Sequence, residues 1–338
     1  MSDTGEISGG FPAGGIGLRP DEYARFVSAE YLDDYVRAGG AAVRFVVAGS
    51  DEIATRWHTG LAAAADEHGY LCVGVDAAEH RVHMIDQVYA AVARQVDWLD
   101  LARRQVTAGW ESLGLAPERP GALSVAEVAA HHDVAVPEAA RSMRRLLESD
   151  LLRDPGLDRE FRLAALRLCQ CELATGDVLE AERDAVLAWL RVEPVALRAV
   201  KSASLHGRVA RPNARAMLVS LAAWRARITG SGVVVDIDLS RLAVARRPPL
   251  EQRSGHYYTK AAVLDAYEVL RQLVDATDNL RGAFVAVTMP PELVTDDARG
   301  LPAYSALHLR IVDEIRDLRR ANPFAALVRL QTRLEAVR

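Results

Sequence analysis

Apolar residues recur along the chain in two alternating periods, and residues 42–76 set the pattern that later segments repeat. Val43 to Val47 is a short continuous apolar run. A small-residue turn follows, then a helical segment, then a second apolar run from Tyr70 to Val75. Runs of this length read as strands, so the unit is strand–loop–helix–strand, the opening of a parallel α/β sheet. Ahead of it, Tyr23, Phe26, Val27, Tyr31, Leu32 and Tyr35 predict an amphipathic helix over 20–38, broken by Ala38-Gly39-Gly40. The Gly- and Ser-rich residues 1–18 are expected to be a disordered tail.

Beyond Asp76, the spacing of Ile85, Val88, Tyr89, Val92, Val96 and Leu99 predicts one long helix from near His83 to about Leu115. Pro117 and Pro120 break it. In residues 122–153, Ser124 caps a first helix, a turn carries Asp133, and Pro137 opens a second helix. Two readings stay open there. One is a helix–turn–helix that sets Arg141, Arg144 and Arg145 against duplex DNA; the other is two packed helices with an arginine-rich solvated face. Helices continue over 158–192 with a break at Gly176-Asp177, and Trp189 and Leu190 read as core.

The apolar helix Met217 to Ile228 and the turn Thr229 to Gly232 lead into a third run, Val233 to Asp236, with Asp238 just beyond. Thr259 caps a helix whose buried stripe is Val263, Tyr267, Leu270 and Val274. A fourth run, Ala283 to Val287, ends in Thr288. A final helix, Tyr304 to Arg320, presents Arg310, Arg316, Arg319 and Arg320. The fold expected is α/β, a P-loop NTPase-like parallel sheet flanked by helices. Residues 19–116 and 205–338 form its core, and 117–204 form a large helical insert.

Composition narrows the chemistry. A net charge of −5 gives no global basic field for nucleic acid, so any DNA contact needs a local patch. Cys72, Cys169 and Cys171 suit neither a disulfide framework nor a zinc site. No apolar run is long enough for a membrane span and no signal peptide is evident, so a cytoplasmic protein is expected. The histidines, His131-His132 included, show no metal spacing and no evident acid–base partner. There is neither a nucleophile elbow nor a dinucleotide fingerprint, and no cofactor other than ATP and magnesium is expected.

The first turn is the candidate phosphate site. A phosphate loop reads G-x-x-x-x-G-K-[S/T], with backbone N–H groups around the phosphates and a lysine reaching them. The eight positions here are Ala48-Gly49-Ser50-Asp51-Glu52-Ile53-Ala54-Thr55, so only Thr55 matches, and Asp51 and Glu52 repel a triphosphate. The chain has two lysines, Lys201 and Lys260, and neither follows a glycine-rich loop. The bend is nevertheless expected to keep the phosphate-loop shape. The strand ending in Asp236 is the second landmark of such folds, where Asp holds the magnesium shell; the next position, normally acidic, is Ile237. Asp238 points away from Ile237 on an extended chain.

Four stretches carry a resemblance: AEYLDDYVRAGGAAVRFVVAG, RPNARAMLVSLAAW with VVVDIDLSRL, YYTKAAVLDAYEVLRQLVDATD, and RGLPAYSALHLRIVDEIRDLRRANPFAALVRL. From about residue 20 onward the chain resembles the ATP-binding proteins of bacterial BREX-type phage-defence systems, P-loop ATPases of the AAA+ class. The resemblance implies an additional-strand, catalytic-glutamate type core acting on DNA beside helicase or methyltransferase partners, usually as a ring or filament. By position it implies Thr55 as the magnesium hydroxyl, Asp236 as the magnesium-shell carboxylate and Thr288 as the γ-phosphate sensor. Apart from the resemblance, Gly49, Ser50 and Asp238 are candidate nucleotide-binding residues by their places at the turn and strand end, with Arg310 a candidate arginine sensor or finger. The departures are Ala48 and Ile53 for glycines, Ala54 for the lysine and Ile237 for the acid. The expectation is a regulatory or scaffold subunit that no longer hydrolyses ATP. Its alternatives are an active ATPase with arginine phosphate ligands (Arg44, Arg56 or Arg310) and a DNA-binding regulator acting through 122–153.

Overall fold

Four apolar runs and one short alternating segment become the strands β1 (Ala41–Ala48), β2 (Leu71–Asp76), β3 (Val233–Asp238), β4 (Ala283–Met289) and β5 (Leu327–Leu330). They form one sheet in the order β2-β3-β4-β1-β5, with every neighbouring pair parallel. The chain is seen here in a computed structural model that describes residues 17–176, 178–247, 249–252, 254–312 and 321–331. Strand β5 carries no continuous apolar run, and its pattern alternates buried and half-buried positions. Leu18 extends the ladder: it bridges Leu330, its N–H donating to Arg329 O at 2.9 Å. Gly17 and Leu18 are therefore part of the fold, whereas the rest of the expected tail, residues 1–16, lies outside the described residues.

The helices run α1 (Pro20–Phe26), which continues as a π-helical stretch Val27–Tyr35, then α2 (Asp51–Glu67), α3 (Ile85–Arg94), α4 (Trp98–Ser112), α5 (Val125–His131) and α6 (Val136–Leu147). They go on as α7 (Arg159–Glu172), α8 (Glu180–Leu190), α9 (Leu197–Val200), α10 (Arg211–Thr229), α11 (Lys260–Asp275), α12 (Glu292–Thr295) and α13 (Ser305–Ile311). The single helix expected from His83 to Leu115 is two, because Asp97 starts a new one. Its side chain accepts the Asp100 N–H at 2.9 Å, and Trp98 Nε1 donates across the break to Ala93 O at 2.8 Å. Asp97→Ala should therefore cost about 1 kcal/mol, read as a lower urea midpoint at unchanged slope. The last helix ends at Ile311, and the expected continuation with Arg316, Arg319 and Arg320 lies outside the described residues.

Successive side chains of a strand alternate between faces, so each strand serves two cores. Val43, Phe45 and Val47 join Val73, Val75, Val235, Ile237, Val285 and Val287 on one face. Ala42, Val46 and Ala48 join Val234, Phe284 and Ala286 on the other. Helices α1 and α2 close the second face through Tyr23, Val27, Leu32, Ile53, Trp57 and Leu61, with Tyr23 and Trp57 stacked at 5.1 Å. The first face packs beneath the remaining helices. Leu147, Phe161 and Leu168 of the helical insert belong to the same buried cluster as Val43 and Val235, so insert and sheet share one core.

Candidate functional site

Because all strands are parallel, the C-terminal ends of β1, β3 and β4 open on the same rim, where open α/β sheets take their ligands. On the α2 side of that rim, register aligns Asp76, Asp238, Thr288 and Val46 across four strands, and Gly74, Asp236, Ala286 and Arg44 in the row beneath. Residues in register on neighbouring strands point to the same face, so Asp236, Asp238 and Thr288 all look towards α2. Helix α2 buries Ile53, Trp57 and Leu61. That stripe turns His58, the neighbour of Trp57, onto the two carboxylates.

His58 is the centre of the site. Its Nδ1–H donates to Asp236 Oδ2 at 2.5 Å, and Nε2 lies 3.7 Å from Asp238 Oδ2. The His58 side chain is 26% exposed and that of Asp236 only 9%. Burial alone pushes an imidazolium towards deprotonation, but the hydrogen bond to Asp236 and the charges of Asp236 and Asp238 outweigh it and raise His58 to about 10. Burial likewise opposes ionisation of Asp238, yet the nearby His58 ring and a hydrogen bond from the Ser240 N–H, 2.7 Å from Oδ1, hold its carboxyl below the usual range. Burial, with the Asp236 charge added, pushes the neighbouring Cys72 thiol up to about 12. At neutral pH the cluster is a protonated imidazole between two carboxylates beside an un-ionised thiol. A histidine held protonated is no general base, and a neutral, half-buried thiol is no nucleophile. Three buried polar atoms here have no protein partner: Asp236 Oδ1, His58 Nε2 and Thr288 Oγ1.

The turn departs from its expected shape. Strand β1 ends at Ala48 and α2 begins at Asp51, so Gly49 and Ser50 are the entire connection. Ser50 is an N-cap whose Oγ accepts the Ile53 N–H at 3.4 Å, and Ala54 N–H already donates to Ser50 O at 3.0 Å. The eight-residue bend expected to keep the phosphate-loop shape is therefore half helix, because a serine followed by two acids is a good helix start. Thr55 is exposed, one turn ahead of His58. Asp51 and Glu52 are exposed too, and Glu52 pairs with Arg56 at 3.5 Å.

The structure brings Asp236, Asp238 and Thr288 together and engages the proposed arginines with other groups. Arg44 donates to Tyr31 OH at 2.9 Å through Nε and lies over that ring at 4.8 Å. Arg310 pairs with Asp275 at 2.6 Å and lines a cavity of about 490 Å³ with Ala41, Ala42 and Val43, at the start of β1. Seven residues of extended strand separate that end from the rim, roughly 23 Å. Arg141, Arg144 and Arg145 are exposed on α6, and Arg141 Nε donates to Pro137 O at 3.1 Å. The turn before α6 carries Asp133 at φ 53°. His58 escaped the sequence reading, in which no histidine had an evident acid–base partner. Its partner lies 178 residues away, and no local pattern signals it.

A model of the family described as BREX system ATP-binding protein BrxC/D matches residues 122–336. That span is more than half of the 338 residues. The chain belongs to this family. Among curated proteins and among solved structures, none matches it. The BrxC/D match contains Asp236, Asp238, Thr288 and Arg310, and it begins after β1, α2 and His58. No described helix is long and apolar enough to cross a membrane.

The BrxC/D description carries ATP binding, and the residues at this rim do not fit magnesium ATP. A two-residue turn leaves no loop to wrap a phosphate, and its first helical residues are acids. Asp236 Oδ2 already accepts a hydrogen bond from His58 Nδ1 at 2.5 Å. Among the described residues, no group of three or more His, Cys, Asp or Glu is arranged to hold a metal ion.

Proposed function

We propose that this BREX-system protein is a P-loop NTPase-like regulatory or scaffold subunit that no longer hydrolyses ATP. The observation that carries the reading is the two-residue β1–α2 turn, which gives a polyphosphate neither an amide cradle nor a lysine. Support for the ancestral fold comes from the all-parallel order, in which β4 is the additional strand between β1 and β3, and from Asp236 and Thr288 at the tips of adjacent strands. Phosphoryl transfer depends almost wholly on positioned charge, so losing the lysine and the acid after Asp236 removes several kcal/mol of transition-state stabilisation. An arginine-dependent ATPase draws no support here, because Arg44, Arg56 and Arg310 are engaged by Tyr31, Glu52 and Asp275. What remains is a folded body for docking on other cytoplasmic subunits of a DNA-processing or defence complex.

Titration calorimetry of ligand-stripped protein with magnesium ATP tests this. The expected result is no binding heat in the micromolar range and no steady-state turnover above buffer. Turnover that disappears in Asp236→Ala would overturn the reading, and so would micromolar binding.

A further inference from the structure

We propose that α6 is a recognition helix for duplex DNA, seated in the major groove through the exposed face that carries Val136, Glu138, Arg141, Arg144 and Arg145. Its role is independent of whether the chain binds or hydrolyses ATP.

Helices α4, α5 and α6 pack as one unit. Ala139, Met143 and Leu147 recur at helical spacing along α6 and are buried. Met143 lies against Gly109 of α4, where an added Cβ would come within 3.1 Å of its Sδ, so the two helices approach closely. Helix α5 is tied down on either side: Val125 N–H donates to Leu173 O at 3.0 Å, and His132 Nε2 donates to Ala116 O at 2.8 Å. Residues 132–135 link α5 to α6. Asp133 takes φ 53°, and Val134 N–H donates back to Ala129 O at 3.0 Å, closing a tight turn. The result is a helix–turn–helix whose second helix is held by one stripe and presents the other. On the presented side Glu138, Arg141, Arg144 and Arg145 are exposed, and Val136 is 48% exposed. Three arginines against one glutamate make α6 a local basic face on a chain of net charge −5. Among the described residues Arg141 gives only its Nε to the protein, to Pro137 O at 3.1 Å. Its terminal nitrogens are left for the fork that pairs with guanine O6 and N7. Glu138, three residues earlier, suits a cytosine amino group, and Val136 suits a thymine methyl. Arg144 and Arg145 follow where a recognition helix meets phosphates. A helix about 10 to 12 Å across fits a major groove about 12 Å wide. An acidic protein surface would be repelled by Glu138 within this stripe, whereas a base edge satisfies it, so the mixed face favours DNA.

The full chain, without nucleotide, is titrated into a labelled mixed-sequence duplex of about 20 base pairs, and anisotropy is read between roughly 50 and 200 mM NaCl. Native protein is expected to bind, with an affinity that falls steeply as salt rises. The triple variant Arg141→Ala, Arg144→Ala, Arg145→Ala is expected to bind at least about tenfold more weakly, with a shallower salt dependence. Its urea midpoint is expected to stay close to native. A matched triple at exposed arginines on other elements, Arg25→Ala, Arg198→Ala, Arg281→Ala, is expected to bind like native protein. Native protein is then used to select duplexes from a randomised pool. On those duplexes Arg141→Lys, which keeps the charge and loses the fork, is expected to discriminate at least about fivefold less well. The proposal is overturned if native protein binds no duplex at low salt, or if the α6 triple binds as tightly as native protein. It is overturned equally if the matched triple loses as much, or if the pool yields no preferred duplex. Preference for polyglutamate over duplex would assign the face to an acidic protein and overturn it too. Should the α6 triple be unfolded, Arg141→Lys decides alone, and unchanged discrimination overturns the proposal.

Discussion

His58→Gln protein is expected to be less stable than native protein at neutral pH, and the difference is expected to shrink steadily as the solution becomes alkaline. The folded protein raises His58 from 6.5 to about 10, because the hydrogen bond to Asp236 and the charges of Asp236 and Asp238 overcome the burial that opposes them. A group raised on folding contributes stability that is complete below its unfolded value and is lost as pH climbs through its folded one. The window therefore runs from 6.5 to about 10. Below it the imidazolium pair contributes about 3 kcal/mol, the low end of what breaking a buried ion pair costs, since a quarter of the ring is solvated. Cys72, raised from 9.0 to about 12 on folding, lowers the stability of both proteins above pH 9.0 alike, so it drops out of their difference. Urea midpoints of the two proteins across that range decide the matter. Two curves that stay parallel from neutral to alkaline pH would show that His58 carries no charge that matters to folding.

Gly232→Ala should do more damage than any surface change. An added Cβ would lie 1.5 Å from the carbonyl oxygen of Gly282, a backbone atom with no room to give. Both glycines sit where strands begin. Val233 N–H donates to Gly282 O at 2.9 Å, and Leu71 N–H donates to Gly232 O at 3.2 Å. Arg225 ties the same corner down, its Nε donating to Gly232 O at 3.0 Å and a terminal nitrogen donating to Gly69 O at 2.8 Å. Relieving the clash moves the start of β3 and disturbs three strands together, so a loss of about 3 kcal/mol or more is expected. Gly49→Ala is the matched control. Nothing lies within 4 Å of a Cβ there, so its midpoint should shift by no more than about 0.5 kcal/mol in equivalent stability. A Gly49→Ala loss as large as that of Gly232→Ala would mean that the short turn after β1 is under a constraint its open surroundings do not reveal.

Four of the five strands were legible because strands covered on both faces need continuous apolar side chains, as Val43 to Val47 and Val233 to Val235 have. β5 was not, since Arg329 interrupts its four residues, only Val328 and Leu330 of them are buried, and the apolar run Phe324 to Val328 lies mostly ahead of the strand. The break before Trp98 was hidden for the opposite reason: apolar spacing carries on across it, and only Asp97 marks a new start. Aligning residues 48–55 on an eight-residue phosphate motif obscured a plainer signal, Ser50 followed by Asp51 and Glu52, which is how a helix begins.

The residues alone determined an α/β chain without a phosphate-loop lysine, with Asp236 ending an apolar strand, because periodicity and motif positions are local properties. Tertiary structure decided that His58 meets Asp236 and Asp238, that Thr288 stands beside them and that Arg310 does not. Strand order and the crossing of α2 over the sheet join positions 178 residues apart, and a charge pair at that separation leaves no periodic trace in the chain.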